Sequence, residues 1–177
     1  MNIILVGPRG AGKSKVSRTL SKQIQFPVVS TDSVIVYENG GIPIPKFVEQ
    51  KGWKAFRDLE YSILSKLQNA DGIILDCGGG ILFDLDENGN EIPSERKLSI
   101  LRKLGRIILL EKDFNELVEK VEGDKTRPDL AKNKAYAEIL KKRLPVYYES
   151  SHYKINMSKL SKEDAADKIK DLLGFPD

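Results

Sequence analysis

The chain predicts an open α/β architecture, five parallel strands covered by helices on both faces. Short apolar, β-rich runs recur along it, segments with helical spacing fill the gaps, and no proline- or serine-rich linker interrupts the alternation. Its 177 residues suit one domain with a sizeable core, so residues 1–177 are read as a single unit without internal repeats.

Taken in order, Ile3 to Val6 is the first strand, and the glycine-rich Gly7-Pro8-Arg9-Gly10-Ala11-Gly12-Lys13-Ser14 joins it to a helical segment. Phe26 to Ser30 is the second. Trp53, Phe56, Leu59, Ile63 and Leu67 then follow a three-to-four spacing that predicts a helix. Ile73 to Asp76 is the third strand. Residues 78–94 are polar and irregular and read as a loop insertion, with Asn88-Gly89 a hairpin turn between Ile81-Leu82-Phe83 and Ile92. Arg106 to Leu110 is the fourth strand, and the polar residues 122–134 read as a mobile lid. Tyr153 to Ile155 makes a weaker fifth strand. The last helix, carrying Ile169, Leu172 and Leu173, is capped by Ser161 and stopped by Gly174.

Composition removes several function classes. Apolar residues at 40% and charged residues at 31% fit neither a disordered nor a membrane-embedded chain. No apolar run exceeds four residues, which excludes a transmembrane helix, and the opening strand runs straight into the glycine-rich motif, unlike a signal peptide; a cytoplasmic protein is expected. The net charge of +3 is dispersed apart from Lys141-Lys142-Arg143, which argues against nucleic acid; a small-molecule partner, no membrane partner and a monomeric chain are expected besides. A single cysteine, Cys77, and a single histidine, His152, leave no disulfide and no zinc cluster. Chemistry falls to carboxylates, lysine, arginine and backbone amides. Asp84, Asp86, Asn88, Gly89 and Glu95 match the spacing of a calcium loop, but a glycine turn precedes them where a helix is needed, and a hairpin is the simpler reading.

The strongest motif is the one from Gly7 to Ser14, a complete P-loop in its proper place between a strand and a helix. It specifies a three-layer α/β/α P-loop NTPase fold. Glycines let successive N–H groups face a phosphate at a helix N-terminus, where the dipole also favours negative charge. Gly10, Ala11, Gly12, Lys13, Ser14 and Lys15 are the candidate ATP-binding residues. Lys13 would reach the β and γ oxygens as a catalytic cation, and Ser14 would offer its hydroxyl to Mg²⁺. A GTPase would need Asn-Lys-x-Asp, whereas Asn133-Lys134 is followed by Ala135-Tyr136, and a motor would need far more chain. The size fits a small-molecule kinase.

Further along, Thr31-Asp32-Ser33-Val34-Ile35, Phe56-Arg57-Asp58-Leu59-Glu60, Gly78-Gly79-Gly80, Arg127-Pro128 and Arg143-Leu144-Pro145-Val146-Tyr147-Tyr148-Glu149 occur in an order and spacing that resembles the shikimate kinases over nearly the whole chain. That resemblance implies ATP-dependent phosphorylation of the 3-hydroxyl of shikimate, with Mg²⁺, in aromatic amino-acid synthesis through chorismate. By it residues 32–70 form the substrate-binding region, Arg57 and Arg143 hold the substrate carboxylate, Asp32 orients the attacking hydroxyl, and Gly78, Gly79 and Gly80 line the pocket. Arg127 in the lid would meet the γ-phosphate. A planar guanidinium fork suits a carboxylate, which is the physical side of the same assignment.

Plainer readings stand beside these. Asp32 can be an N-cap, Arg57 and Glu60 a surface ion pair worth roughly 0.2–0.5 kcal/mol, Arg143 a solvated residue, and the glycines a tight turn. The alternatives for the whole chain are a kinase of another small polyol or carboxylate such as gluconate, or a nucleotide-binding homologue without turnover. Several positions depart from the family pattern, among them Asp76-Cys77 before the triple glycine, where the family reads threonine and lacks the acid. Asp129 follows Arg127-Pro128 where leucine is usual, Lys120 stands where an adenine-stacking arginine is common, and Ser30 replaces an acid that helps hold Mg²⁺. Asp76, ending an apolar strand just before the triple glycine, is the candidate metal-site carboxylate in its place, and hydrogen-bonding that glycine turn is its alternative role.

Overall fold

A computed structural model of the chain describes residues 1–122 and 136–176. Arg127 and nearly all of the predicted lid lie outside the described residues. In chain order the elements are β1 (Asn2–Val6), α1 (Lys13–Ile24), β2 (Val28–Ser30), α2 (Thr31–Glu38), α3 (Ile44–Leu67), β3 (Ile74–Asp76), β4 (Phe83–Leu85), β5 (Glu91–Pro93), α4 (Glu95–Leu104), β6 (Gly105–Glu111), α5 (Phe114–Glu122), α6 (Tyr136–Ser150), β7 (Tyr153–Asn156) and α7 (Lys162–Leu173).

Five of the strands form the expected parallel sheet, in the order β2-β3-β1-β6-β7. Successive side chains of a strand point to opposite faces, so an uninterrupted apolar strand needs a cover on each. Ile3 and Leu5 of β1 pack with Val16 and Leu20 of α1 and with Ala165 and Ile169 of α7. Ile4 and Val6 face the other way, among Leu98 and Leu101 of α4 and Tyr147 of α6. A third apolar group, Ile35, Phe47, Phe56 and Ile63, joins α2 to α3 as a side lobe.

β2 is shorter than the sequence implies, because Pro27 has no N–H for a ladder and Phe26 turns away to pack edge-on against Phe175. The segment 78–94 is more ordered than a loop: β4 and β5 pair antiparallel, with Asp84 opposite Ile92 and Leu85 opposite Glu91. Asn88-Gly89 lies in the hairpin turn, as expected. The turn is tied by Asp86, whose carboxylate accepts from the backbone N–H groups of Asn88 and Asn90 at 2.9 and 2.8 Å. α7 begins with a capping box between Ser161 and Asp164 and ends at Gly174 in the left-handed conformation. α3 is broken at Gly52 (φ 81°, ψ 167°), and the spacing that predicts a helix from Trp53 to Leu67 describes its second limb.

Candidate active site

Parallel strands deliver their functional side chains at their carboxyl ends, and here β1, β2 and β3 do so side by side. After β1 the P-loop turns into α1 through Gly12, whose φ of 101° a residue with a Cβ adopts only under strain. That N-terminus has no side-chain cap and no acid in its first turn, which leaves its amides suited to an anion. Lys13 folds back over the loop, its Nζ donating to the carbonyls of Gly7 (2.8 Å) and Pro8 (3.0 Å). A cavity of about 660 Å³ opens here, lined by Gly10, Gly12, Lys13, Ser14, Lys15, Ser30, Asp32 and Asp76. Ala11 does not line it. Its methyl is in the core and its N–H donates to Pro8 O at 3.3 Å. Lys120 of α5 reaches the same cavity and donates to Gly10 O at 3.0 Å.

The residue that caps α2 is Ser30, whose hydroxyl accepts from Ser33 N at 3.3 Å; Asp32 stands within the first turn, so the N-cap role does not fall to it. In the sheet Ser30 is the register neighbour of Asp76, and Leu5 lies on the other side of Asp76. The glycine turn after Asp76 is held by Thr31 Oγ1, accepting from Gly78 N at 2.9 Å, and by Tyr147, whose hydroxyl donates to Gly79 O. Among the described residues Asp76 makes no hydrogen bond to that turn. Cys77 beside it is buried, and burial followed by the Asp76 charge pushes its thiol well above the usual range.

A second cavity of about 470 Å³ lies beyond the first, walled by Asp32, Pro43, Ile44, Trp53, Phe56, Arg57, the three glycines and Arg143. Asp32, Gly78 and Gly79 border both. The glycines matter sterically: a Cβ on Gly78 would lie 2.5 Å from Asp32 Oδ1, and one on Gly80 2.2 Å from Arg57 Nη1.

Neither arginine is a surface residue. Arg57 is 2% and Arg143 3% exposed, which removes the plainer readings of both. Arg57 donates through Nη1 to Glu60 Oε2 and through Nη2 to Glu91 Oε1, each at 3.0 Å, and stacks over Trp53 at 5.4 Å. Arg143 donates through Nε to Glu91 Oε2 (2.8 Å), through Nη2 to Glu91 Oε1 (2.5 Å) and through Nη1 to Gly79 O (3.3 Å). Behind them Lys97, fully buried, donates from Nζ to Glu60 Oε2 at 2.9 Å and to Phe83 O at 2.5 Å. Burial lowers the Lys97 pKa, with Glu60 opposing. Burial would likewise raise the Glu91 carboxyl, but the hydrogen bonds and charge of Arg143, with those of Arg57, hold it below its usual value.

Sequence reasoning missed Glu91, Lys97, Thr31 and Tyr147 as parts of this site. Thr31 and Tyr147 stand inside the family-like segments, and Lys97 left a signal of its own, since it shares the buried stripe of α4 with Leu101 and Leu104 at helical spacing. Calcium finds no support in the hairpin, where both oxygens of Asp84 accept from Arg96 at 2.8 Å and Oδ2 also from Ser94 at 2.6 Å. Among the described residues no helix is long and apolar enough to cross a membrane.

A P-loop mouth joined through a carboxylate to a small pocket with two buried arginines defines a kinase of small anionic molecules. The family model described as shikimate kinase matches residues 9–173. A shikimate kinase of Leptospira biflexa is 74% identical over 175 residues, 99% of this chain and 97% of its own, and one of Leptospira borgpetersenii is 50% identical over 95% of each. Among solved structures, a shikimate kinase from Acinetobacter baumannii in complex with shikimate superposes with a TM-score of 0.83 at 29% identity, over 97% of this chain and 92% of that one. The enzyme from Aquifex aeolicus shares the fold with a TM-score of 0.77 at 22% identity, over 98% and 96%. The chain belongs to the shikimate kinase family. Members of this family use ATP.

Proposed function

We infer that the chain transfers the γ-phosphoryl group of ATP to the 3-hydroxyl of shikimate, on the route to aromatic amino acids through chorismate. The observation that carries this is the meeting of the two cavities at Asp32 and Gly78-Gly79, with the P-loop on one side and the Arg57–Arg143 pair on the other. In that frame the two arginines hold the substrate carboxylate, and the triple glycine walls the ring. Asp32 orients the hydroxyl: its oxygen forms the new bond to γ-phosphorus, its proton passes to the Asp32 carboxylate, and the bond to the ADP oxygen breaks. Lys13 offsets charge on the transferred group, and Arg127 is assigned the same task from the lid.

Mg²⁺ fits the residues present. Ser14 lies in the first turn of α1, and the Asp76 carboxylate lines the same cavity beside Ser30. Ser14 would offer its hydroxyl to the ion and Asp76 would hold its water ligands, and the ion would supply positive charge to offset that of the phosphates. The first test is ADP release from Mg²⁺-ATP with shikimate, and with gluconate and quinate as controls. Release is expected with shikimate alone, and equal release with gluconate overturns the reading. Arg57→Lys and Arg143→Lys, which keep the charge and lose the fork, are expected to raise the KM for shikimate by about tenfold or more.

A further inference from the structure

Glu91 comes from the β4–β5 hairpin, an element that contributes neither P-loop, nor Asp32, nor arginine. Its single carboxylate nevertheless holds both pocket arginines, one from α3 and one from α6. It takes Arg143 in a bidentate fork through Nε and Nη2 and reaches Arg57 through Nη2. The described residues that wall the 470 Å³ cavity include both arginines but not Glu91, so it grips them from outside that space. Arg57 Nε is buried and has no hydrogen-bond partner among the described residues. Around it Arg57, Arg143 and Lys97 face Glu60 and Glu91, and Lys97 also lies 3.6 Å from Asp84.

We propose that Glu91 is a positioning residue for the substrate carboxylate, clamping Arg57 and Arg143 in one geometry from the hairpin and acting on substrate only through them. This rests on the assignment of the two arginines to that carboxylate. Without Glu91 the two guanidinium groups would lose their shared anchor and repel one another. The added positive charge does not compensate, because affinity for a carboxylate here depends on aligned N–H pairs.

Trp53, the sole tryptophan, walls the cavity beside Arg57, so its fluorescence reads shikimate binding without turnover. In Glu91→Ala the Kd and KM for shikimate are expected to rise about tenfold, while kcat and the KM for ATP stay within about twofold. Glu91→Gln, which keeps an acceptor oxygen without the charge, falls between, and it carries the test if the alanine variant melts far below the wild type. Unchanged or tighter shikimate binding overturns the proposal, tighter binding meaning that Glu91 competes for the carboxylate seat; so does an equal rise in the KM for ATP. Arg143→Lys separates the two levels. If it weakens shikimate binding while Glu91→Ala does not, the positioning role alone fails; if neither does, the arginine assignment fails and the proposal with it.

Discussion

Position 30 carries serine where the family usually has an acid, and the sheet register gives that exchange a physical setting. Ser30 spends its hydroxyl on capping α2, and its neighbour across the β2–β3 pairing is Asp76, on the same cavity. A carboxylate moved one strand over still faces the P-loop mouth. Asp76→Asn is therefore expected to raise the Mg²⁺ concentration for half-maximal activity about tenfold and to weaken Mg²⁺-ADP binding in calorimetry, with the KM for shikimate unchanged. An unaltered Mg²⁺ titration sinks the assignment. Legibility at this scale follows contiguity. Gly7 to Ser14 can be read because all its parts adjoin in the chain, and Arg57 and Arg143 because a family pattern marks them. Glu91 is 34 residues from Arg57 and 52 from Arg143, and no spacing rule joins them.

Among the elements, α3 does the most to shape the substrate pocket, and its break at Gly52 decides where its two limbs point. At φ 81° and ψ 167° the backbone occupies a region that essentially only glycine enters. Nothing lies within 4 Å of where a Cβ would be, so an alanine there meets backbone strain and no clash. Gly52→Ala is expected to cost about 1–3 kcal/mol, a fall of roughly 2–10 °C in Tm. Relief of the strain by continuing the helix would shift Ile44 and Pro45 on the pocket wall, so the KM for shikimate should rise with it while that for ATP holds. An unchanged Tm would mean that the two limbs are not fixed by this residue. Helical periodicity announces the second limb because Phe56 and Ile63 bury one face. It cannot announce the first, since a glycine with positive φ resets the direction of the helix. The hairpin was legible only as its Asn88-Gly89 turn: Glu91, Ile92 and Pro93 do not alternate as a half-buried strand would.

For the molecule as a whole, apolar packing covers both faces of the sheet, and the face under α3, α4 and α6 carries the ion cluster of the pocket in addition, so acid acts on the two unequally. Glu91, Asp84 and Asp58 all have carboxyls below their usual values. For Glu91 and Asp84 burial works against ionisation and is outweighed by Arg143 and Arg96 respectively, and for Asp58 the Arg96 hydrogen bond is the leading cause. A carboxyl whose folded pKa lies below its unfolded one binds fewer protons in the native state, so its contribution is complete above the unfolded values of 3.8 and 4.5 and is lost as pH falls through the folded ones. Asp58 is half-exposed and adds little. Tm is therefore expected to be insensitive to these groups from pH 8 down to about 5 and to fall below about 4.5. Hydrogen exchange should detect opening of residues 83–93 and of the α4 N-terminus there before α1 and α7 exchange. In Glu91→Gln the fall should be shallower, because the variant has already lost one of the groups whose protonation drives it. An acid limb of the same slope in both proteins would show that the ion cluster around the pocket does not set the acid stability of the fold.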